Sequence, residues 1–179
     1  QWLSLNERGV GLSRNTALMR ATADIVLFAD DDLTYRDGYV QMVLDAFEIR
    51  PDADAIVFDM NMVKDSKEIS DYRKIKKTRR LRWYNAMRYG ACRIAVKRER
   101  LLKSNICFSL LFGGGARWGS GEDSLFLKQC LDKKMRIYAC PQILADVDGS
   151  SSSWYNGITD KLFIDKGALL TACFPLLHM

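Results

Sequence analysis

Residues 23–35 read ADIVLFADDDLTY, and they decide the fold that we expect for this chain. The run ADIVLFA is short and continuously apolar, which is typical of a strand that is covered on both faces in an α/β sheet. Three carboxylates follow it directly, Asp30, Asp31 and Asp32. Because ligands of open α/β sheets bind beyond the carboxyl ends of the strands, we expect a ligand site at these residues.

Further strands and helices are predicted on the carboxyl side of this run. The spacing of apolar residues predicts a helix over residues 37–50 and a last helix over residues 160–172. Residues 53–63 and 135–139 predict two more strands, and Pro141 is expected to end the second. This alternation predicts an α/β fold with helices flanking a sheet.

Length and composition favour one globular domain over the whole chain. It has 179 residues, of which 48% are hydrophobic and 27% charged, so a core can form. No apolar run approaches the length of a membrane span, and the odd set of five cysteines contains no C-x-x-C pair. We therefore expect a soluble protein of a reducing compartment such as the cytoplasm, either free or at the inner face of the membrane.

The positive charge is concentrated in one segment. Residues 64–103 hold 15 Lys and Arg against four Asp and Glu, whereas the net charge of the whole chain is only +5. Such a segment suits an anionic partner, which is a phosphate-bearing substrate, an anionic membrane surface or a nucleic acid. The alternative is a solvated basic surface without a partner. No helix-turn-helix, RNP or zinc pattern accompanies it, so we expect no nucleic acid.

The three adjacent carboxylates are costly, since like charges raise one another's pKa and call for a cation. Mg²⁺ takes one or two protein carboxylates and completes its shell with water and substrate phosphates. The alternative is a cluster that caps the next helix, which the intervening residues 33–36 disfavour. The sequence therefore favours a divalent cation, Mg²⁺ or Mn²⁺, at this strand end.

A second acidic site follows a glycine-rich loop, where Gly121, Glu122 and Asp123 begin a predicted helix. The helix dipole alone explains carboxylates at this position. In a functional site, glycines let a ligand approach the backbone, and a nearby carboxylate acts as general base on a hydroxyl. Trp118 offers an aromatic face to a sugar ring, and so does Trp154, for which packing against the last helix is the alternative.

The segments ERGVGLSRNTAL, ATADIVLFADDDLTY and GGGARWGSGEDSLF occur in this order from residue 7 to about residue 123. In that order they resemble the family 2 glycosyltransferases with the GT-A fold, a Rossmann-like mixed sheet flanked by helices. In that family an Arg-Asn helix precedes a hydrophobic strand that ends in Asp-x-Asp, and a later Glu-Asp pair begins a helix. Three motifs in order are a fairly specific signal.

The resemblance implies a role for each matched residue. Arg14 approaches the nucleotide, Asp30 contacts its ribose, Asp31 is the middle position of the nucleotide-sugar site, and Asp32 binds the metal. On the acceptor side, Asp123 is the base that deprotonates the hydroxyl. Glu122 binds the acceptor or supports that base, and Trp118 and Trp154 complete the expected acceptor site.

The function implied is a metal-dependent, inverting transfer of a sugar from a nucleotide-diphospho-sugar to a hydroxyl of a saccharide or lipid-linked acceptor. Surface polysaccharide or glycolipid synthesis in a bacterium is the expected setting, with peripheral membrane contact through residues 64–103. The rival functions are a metal-dependent nucleotidyl- or phosphotransferase and a catalytically silent interaction module.

The start of the chain departs from the family pattern. The family normally begins with a βαβ unit before the Arg-Asn helix, whereas this chain begins close to that helix. We therefore expect residues 1–179 to be the carboxy-terminal part of a single catalytic domain that is truncated at its N-terminus. A sheet without its first strands has an exposed edge, which predicts homo-oligomerisation or modest stability.

Overall fold

The computed structural model describes residues 3–64, 67–69, 74–148 and 158–175. No helix within these ranges is both long and apolar enough to cross a bilayer. The helices are α1 (Val10–Arg20), α2 (Tyr39–Ile49), α3 (Trp83–Ala86), α4 (Arg98–Lys103), α5 (Glu122–Asp132) and α6 (Asp160–Cys173), with a 3-10 helix at Ala91–Arg93. The strands are β1 (Ile25–Leu27), β2 (Leu33–Tyr35), β3 (Ala55–Lys64), β4 (Lys67–Ile69), β5 (Arg79–Arg80), β6 (Ile94–Lys97) and β7 (Ile137–Asp148).

The strands form one mixed sheet in the order β1-β6-β3-β7-β2, with β4 paired to β3 and β5 paired to β7. Among the strand pairs of the described residues, β3 with β7 is the parallel one, and the others are antiparallel. β7 pairs with β5 near its beginning and with β2 near its end. The predicted fold class, a mixed sheet flanked by helices, is confirmed.

The first part of the central strand β3 is buried on both faces, where residues 55–58 read AIVF. Val57 belongs to the core beneath α1 and α5, whereas Ile56 and Phe58 belong to the core beneath α2. Side chains of a strand alternate between the two faces, so these four apolar residues supply both cores at once. The sheet thus fixes α1 and α5 on one side, and these two helices position the candidate site.

The prediction that Pro141 ends a strand was wrong, because β7 continues through it to Asp148. The register moves from Phe58 opposite Cys140 to Asp59 opposite Ile143, so residues 141 and 142 have no partner on β3. A bulge of this kind accepts proline, which has no N–H to donate to the ladder. The continuation carries β7 to the neighbourhood of the Asp30–Asp32 carboxylates.

A buried ion pair lies at the same irregularity of the sheet. Arg93 donates to Asp59 at 3.1 Å, and both side chains are at most 2% exposed. The Asp59 carboxylate also accepts from two backbone N–H groups, of Met60 at 3.0 Å and of Ile75 at 3.2 Å. Asp59 therefore joins the sheet to the 3-10 helix and to the basic segment.

Candidate active site

One arginine joins the acidic residues that the sequence placed at two separate positions. The Arg14 guanidinium donates to Asp30 at 2.8 Å, to Asp123 at 2.9 Å and to Glu122 at 3.2 Å. Arg14 and Glu122 side chains are 10% and 12% exposed, whereas Asp30 and Asp123 are 36% and 27% exposed. The strand end and the start of α5 thus form one partly open ionic cluster.

An aromatic floor holds Arg14 in place. Its guanidinium lies 5.2 Å from the centre of the Phe108 ring, which stacks on Phe126 at 4.3 Å. The neighbouring Asn15 donates to the Phe108 carbonyl at 2.9 Å and accepts from its N–H at 2.8 Å. Asn15 therefore ties α1 to this floor, and the sequence analysis had not anticipated the contact.

The glycine-rich loop packs between α1 and α5. The Gly114 carbonyl accepts from the N–H of Val10 at the start of α1, at 2.9 Å. Gly113 has a φ of +103°, and a Cβ there would lie 2.6 Å from Val10 and 2.8 Å from Glu122. Only glycine fits both this backbone conformation and this approach to Glu122.

The last helix, α6, supports the turn that leads into α5. The Asp165 carboxylate accepts from the Gly119 N–H at 2.9 Å. Gly121, the residue before α5, has a φ of +115°, and a Cβ there would lie 2.8 Å from Leu169. This close packing fixes the point at which α5 begins, and so it fixes Glu122 and Asp123.

The electrostatics of the cluster leave one carboxyl easily protonated. Burial and the charge of Glu122 raise the pKa of Asp123 to about 7. The Arg14 guanidinium and the backbone N–H of Ala91 act in the opposite direction, since both favour the ionised form. Burial opposes the charge of Arg14 itself, but the surrounding carboxylates raise its pKa above the ordinary value.

The strand-end carboxylates are also close enough to repel one another. Partial burial and the charge of Asp30 raise the pKa of Asp32, and the charges of Asp31 and Asp148 add to this. The carbonyl of Asp32 accepts from the Asp148 N–H at 3.2 Å, which brings the end of β7 beside it. Carboxylate oxygens under mutual repulsion suit a hard cation.

A complete cage for a metal ion is not present within the described ranges, since they contain no group of three or more ligating side chains. Mg²⁺ needs only one or two protein carboxylates when substrate phosphates and water complete its shell. Asp32 with Asp148 meets that requirement. The donor set therefore fits the cation expected from the sequence.

Two residues that the sequence analysis did not single out lie close to these charges. Burial and the charges of Asp30 and Asp123 raise the pKa of the Cys92 thiol to about 12. Burial and the nearby Cys92 raise the pKa of Tyr35 to about 12 as well. The Tyr35 hydroxyl is buried without a hydrogen-bond partner in the described part of the chain, and its ring stacks on Tyr39 at 4.3 Å. No local sequence signal marks either residue.

Of the two aromatic residues expected in the acceptor site, the structure describes only Trp118. Trp118 is half-buried, stacks on Phe112 at 4.7 Å and has the Arg117 guanidinium 5.1 Å from its ring centre. It contributes to a small apolar cluster together with Leu125. Trp154 lies outside the described residues.

Solved structures of the S. aureus protein TarS have a similar fold. Residues 1–349 of S. aureus TarS in complex with UDP-GlcNAc match with a TM-score of 0.72 at 16% identity, over 96% of this chain and 49% of that chain. A second structure of the same TarS residues gives a TM-score of 0.69 at 16% identity, over 96% of this chain and 47% of that chain. The complex with UDP gives 0.67 at 17% identity, over 92% and 44%. The chain thus spans about half of these structures, and the likeness shows the GT-A fold.

None of the curated proteins matches the chain in sequence. The family model described as glycosyl transferase family 2 matches residues 3–104, which include α1, the acidic strand end and most of the sheet. This match extends over more than half of the 179 residues. The chain therefore belongs to glycosyl transferase family 2.

Proposed function

We propose that this glycosyltransferase moves a sugar from a nucleotide-diphospho-sugar to an acceptor hydroxyl, with inversion at the anomeric carbon. The observation that carries the proposal is the ionic cluster around Arg14. One guanidinium holds the strand-end carboxylate Asp30 beside Asp123 at the start of α5. The same Arg14 side chain thus contacts a donor-side residue, Asp30, and an acceptor-side residue, Asp123.

In the proposed reaction Asp123 is the general base. The acceptor oxygen forms a bond to the anomeric carbon while its proton passes to the Asp123 carboxylate. The bond between that carbon and the phosphate oxygen breaks, and its electron pair leaves with the nucleoside diphosphate. Attack from the face opposite the leaving group inverts the configuration. A pKa of about 7 suits a group that takes up a proton near neutral pH.

The donor site is proposed at the acidic strand end. Asp30 binds the nucleotide ribose, and Asp31, which is exposed beside it, belongs to the same donor site. Structural neighbours that contain UDP and UDP-GlcNAc support a uridine-diphospho-sugar as donor. Asp32 and Asp148 would hold Mg²⁺ or Mn²⁺, which neutralises charge on a departing diphosphate.

The acceptor is proposed to be a saccharide or a lipid-linked saccharide in the synthesis of a surface polysaccharide or glycolipid. Glu122 is 12% exposed and forms an ion pair with Arg14, and in this proposal it orients Asp123 or the acceptor. Trp118 keeps a half-exposed ring near the start of α5 and is the proposed sugar platform. Trp154 remains part of this proposal on sequence grounds.

The proposal is tested by replacing the base in the full-length protein and measuring sugar transfer. Asp123→Asn should lower kcat by about 10²–10⁴, the usual contribution of a positioned general base, while donor binding persists. Asp132→Asn is the matched control, because Asp132 is on the same helix and pairs with Lys128 at its exposed end. Equal turnover of the two variants would refute the role of Asp123.

The metal is tested separately by calorimetry. Asp32→Ala should abolish the Mg²⁺- or Mn²⁺-dependent part of UDP binding, because it removes a carboxylate next to Asp148. Asp45→Asn, which changes a half-buried carboxylate that accepts from Gln41 on α2, should leave it unchanged. Metal-dependent binding that survives in Asp32→Ala would contradict the assignment.

A further inference from the structure

Residues 75–81 of the basic segment follow a fixed course beside β7. Ile75 and Leu81 are buried, with exposed fractions of 4% and 1%. The Leu81 N–H donates to the carbonyl of Ile137 at 2.7 Å, and β5 places Arg79 and Arg80 beside β7. Residues 75–81 are therefore anchored at both ends.

Between and after these anchors the segment presents cations to solvent. Residues 74–98 contain ten Lys and Arg and no Asp or Glu. Five of these cations are exposed and form no ion pair with a carboxylate in the described ranges. They are Lys76, Lys77, Arg79, Arg80 and Arg82.

Two large aromatic side chains extend this cationic surface. Trp83 and Tyr84 are 61% and 69% exposed, and their rings lie 5.7 Å apart at 89°. We call the five cations together with Trp83 and Tyr84 the basic–aromatic surface. Aromatic residues this exposed are unusual unless a partner covers them.

The apolar character continues onto α6. The ring centres of Trp83 and Phe174 lie 6.2 Å apart, in an edge-to-face arrangement. Phe163 and Leu170 are seven residues apart and therefore lie on one side of α6, and Phe174 directly follows the helix. Phe163 is 66% and Leu170 58% exposed, so the described part of the chain leaves most of their apolar surface uncovered.

We propose that the basic–aromatic surface binds the anionic surface of a lipid bilayer. Lys and Arg close to an anionic leaflet are attracted to it, and Trp and Tyr settle at the headgroup level. A nucleic acid would use the same cations, but it offers nothing to aliphatic side chains such as Leu170. The perpendicular rings of Trp83 and Tyr84 also differ from a row of faces on which successive bases stack.

The surface is linked to the candidate active site through a short stretch of chain. After α3, the Met87 carbonyl accepts from the hydroxyl of Ser124 on α5 at 2.8 Å. Gly90 is close to the base, since a Cβ there would lie 3.5 Å from Asp123 Oδ2. If the proposed function holds, a bilayer bound at this surface presents the hydroxyl of a lipid-linked acceptor on the side of Asp123.

The test is sedimentation of the full-length protein with vesicles of phosphatidylcholine, with and without phosphatidylglycerol. Binding should require phosphatidylglycerol. Lys76→Glu/Lys77→Glu should weaken it at least tenfold, because each lysine near an anionic surface contributes about fivefold. The matched control is Arg20→Glu/Lys133→Glu, which makes the same change in charge at exposed positions elsewhere and should bind like the wild type.

The aromatic part of the surface is tested in the same assay. Trp83→Ser/Tyr84→Ser should also weaken binding about tenfold, whereas Ile49→Ser, which removes a 73% exposed apolar side chain from α2, should not. The proposal is overturned if the wild type stays in solution with anionic vesicles. It is also overturned if RNA displaces the vesicles and the aromatic variant binds them normally, which would indicate general polyanion binding.

An assay of sugar transfer to a water-soluble saccharide tests the proposed enzyme activity independently of membrane binding. All surface variants should retain that transfer at the wild-type rate. Vesicle binding without any transfer would refute the enzyme assignment alone, and transfer without vesicle binding would refute the membrane surface alone.

Discussion

At the scale of single residues, Arg14 is the centre of the site. The resemblance assigned it to the nucleotide, and its contacts to Asp123 and Glu122 were not expected from the sequence. These residues are 109 and 108 positions away along the chain, so no local pattern reports the contact. The Asp-rich strand end was predictable because three adjacent carboxylates directly after a buried strand are costly. The partner that offsets their charge became visible only in three dimensions.

Replacement of Arg14 should change the pH dependence of transfer. Arg14→Met removes the cation that favours ionised Asp123, so the pKa of that carboxyl rises further and the base is protonated over a wider range. The acidic limb of the kcat/KM–pH profile should therefore move to higher pH. Arg14→Lys keeps the charge without the planar fork and should give a smaller displacement. A limb that stays in place in Arg14→Met would contradict the electrostatic coupling.

Asp123 should also cost the protein stability above neutral pH. Its pKa is about 7 in the folded chain, against an ordinary value of 3.8, so the folded state binds the proton more tightly. Stability therefore falls as the pH rises between these values. Asp123→Asn cannot ionise, and it should raise Tm at about pH 8 by roughly 2–4 °C for each kcal/mol gained. The gain should disappear near pH 4, and a gain that is independent of pH would refute this explanation.

At the scale of elements, apolar patterns predicted β1, β3, α2 and α6, but not the features that depend on pairing with β7. The strand β3 and the helices α2 and α6 follow their apolar patterns closely. The strands β2 and β5, three and two residues long, exist only because they pair with β7, which is remote in sequence. The passage of β7 through Pro141 depends on a bulge against β3. These short strands and the bulge depend on pairing between residues remote in sequence, so local sequence patterns do not predict them.

The glycine-rich loop offers a sharp comparison between adjacent residues. Gly113→Ala should distort the site, because its φ is positive and the new Cβ would lie 2.8 Å from Glu122. We expect a loss of roughly 1–3 kcal/mol in the free energy of unfolding, together with reduced transfer. Gly114→Ala is the control, since a Cβ added there would have nothing within 4 Å. Urea denaturation of both variants checks the prediction, and equal losses would show that the approach to Glu122 is unimportant.

The buried pair at the bulge should matter more than any surface pair. Arg93→Met leaves the Asp59 carboxylate buried beside β3 without this cation, which typically costs about 3–5 kcal/mol. Lys128→Met, which breaks a pair with the exposed Asp132, should cost at most about 1 kcal/mol. Denaturant midpoints of the two variants test the difference. Similar midpoints would mean that the Arg93–Asp59 pair does not anchor the sheet.

At the scale of the whole molecule, the sheet has an open side at β1. This strand pairs only with β6 in the described part of the chain, and Ile25, Val26 and Leu27 are only half-buried. Such an edge favours association with another strand. The expectation from the sequence therefore stays a prediction: the 179-residue chain alone should associate at rising concentration or unfold at a modest temperature. Sedimentation velocity and thermal unfolding test it, and a highly stable monomer would contradict it.

The charges of the molecule are separated into an acidic and a basic region. Residues 83–90 connect the basic–aromatic surface to the acidic cluster around Arg14. This arrangement suits an enzyme that receives a charged donor and an acceptor at a membrane surface. The family and the fold are established by sequence and structure. The proposed reaction is identified by its products.

The most direct test is a proton NMR time course of a uridine-diphospho-sugar with the full-length protein, an acceptor saccharide and Mg²⁺. We expect the anomeric signal of the donor to be replaced by that of a glycoside of opposite configuration, with UDP formed in equal amount. The Asp123→Asn variant should show neither change. Release of pyrophosphate or UMP instead of UDP, or a glycoside of retained configuration, would contradict the proposed reaction.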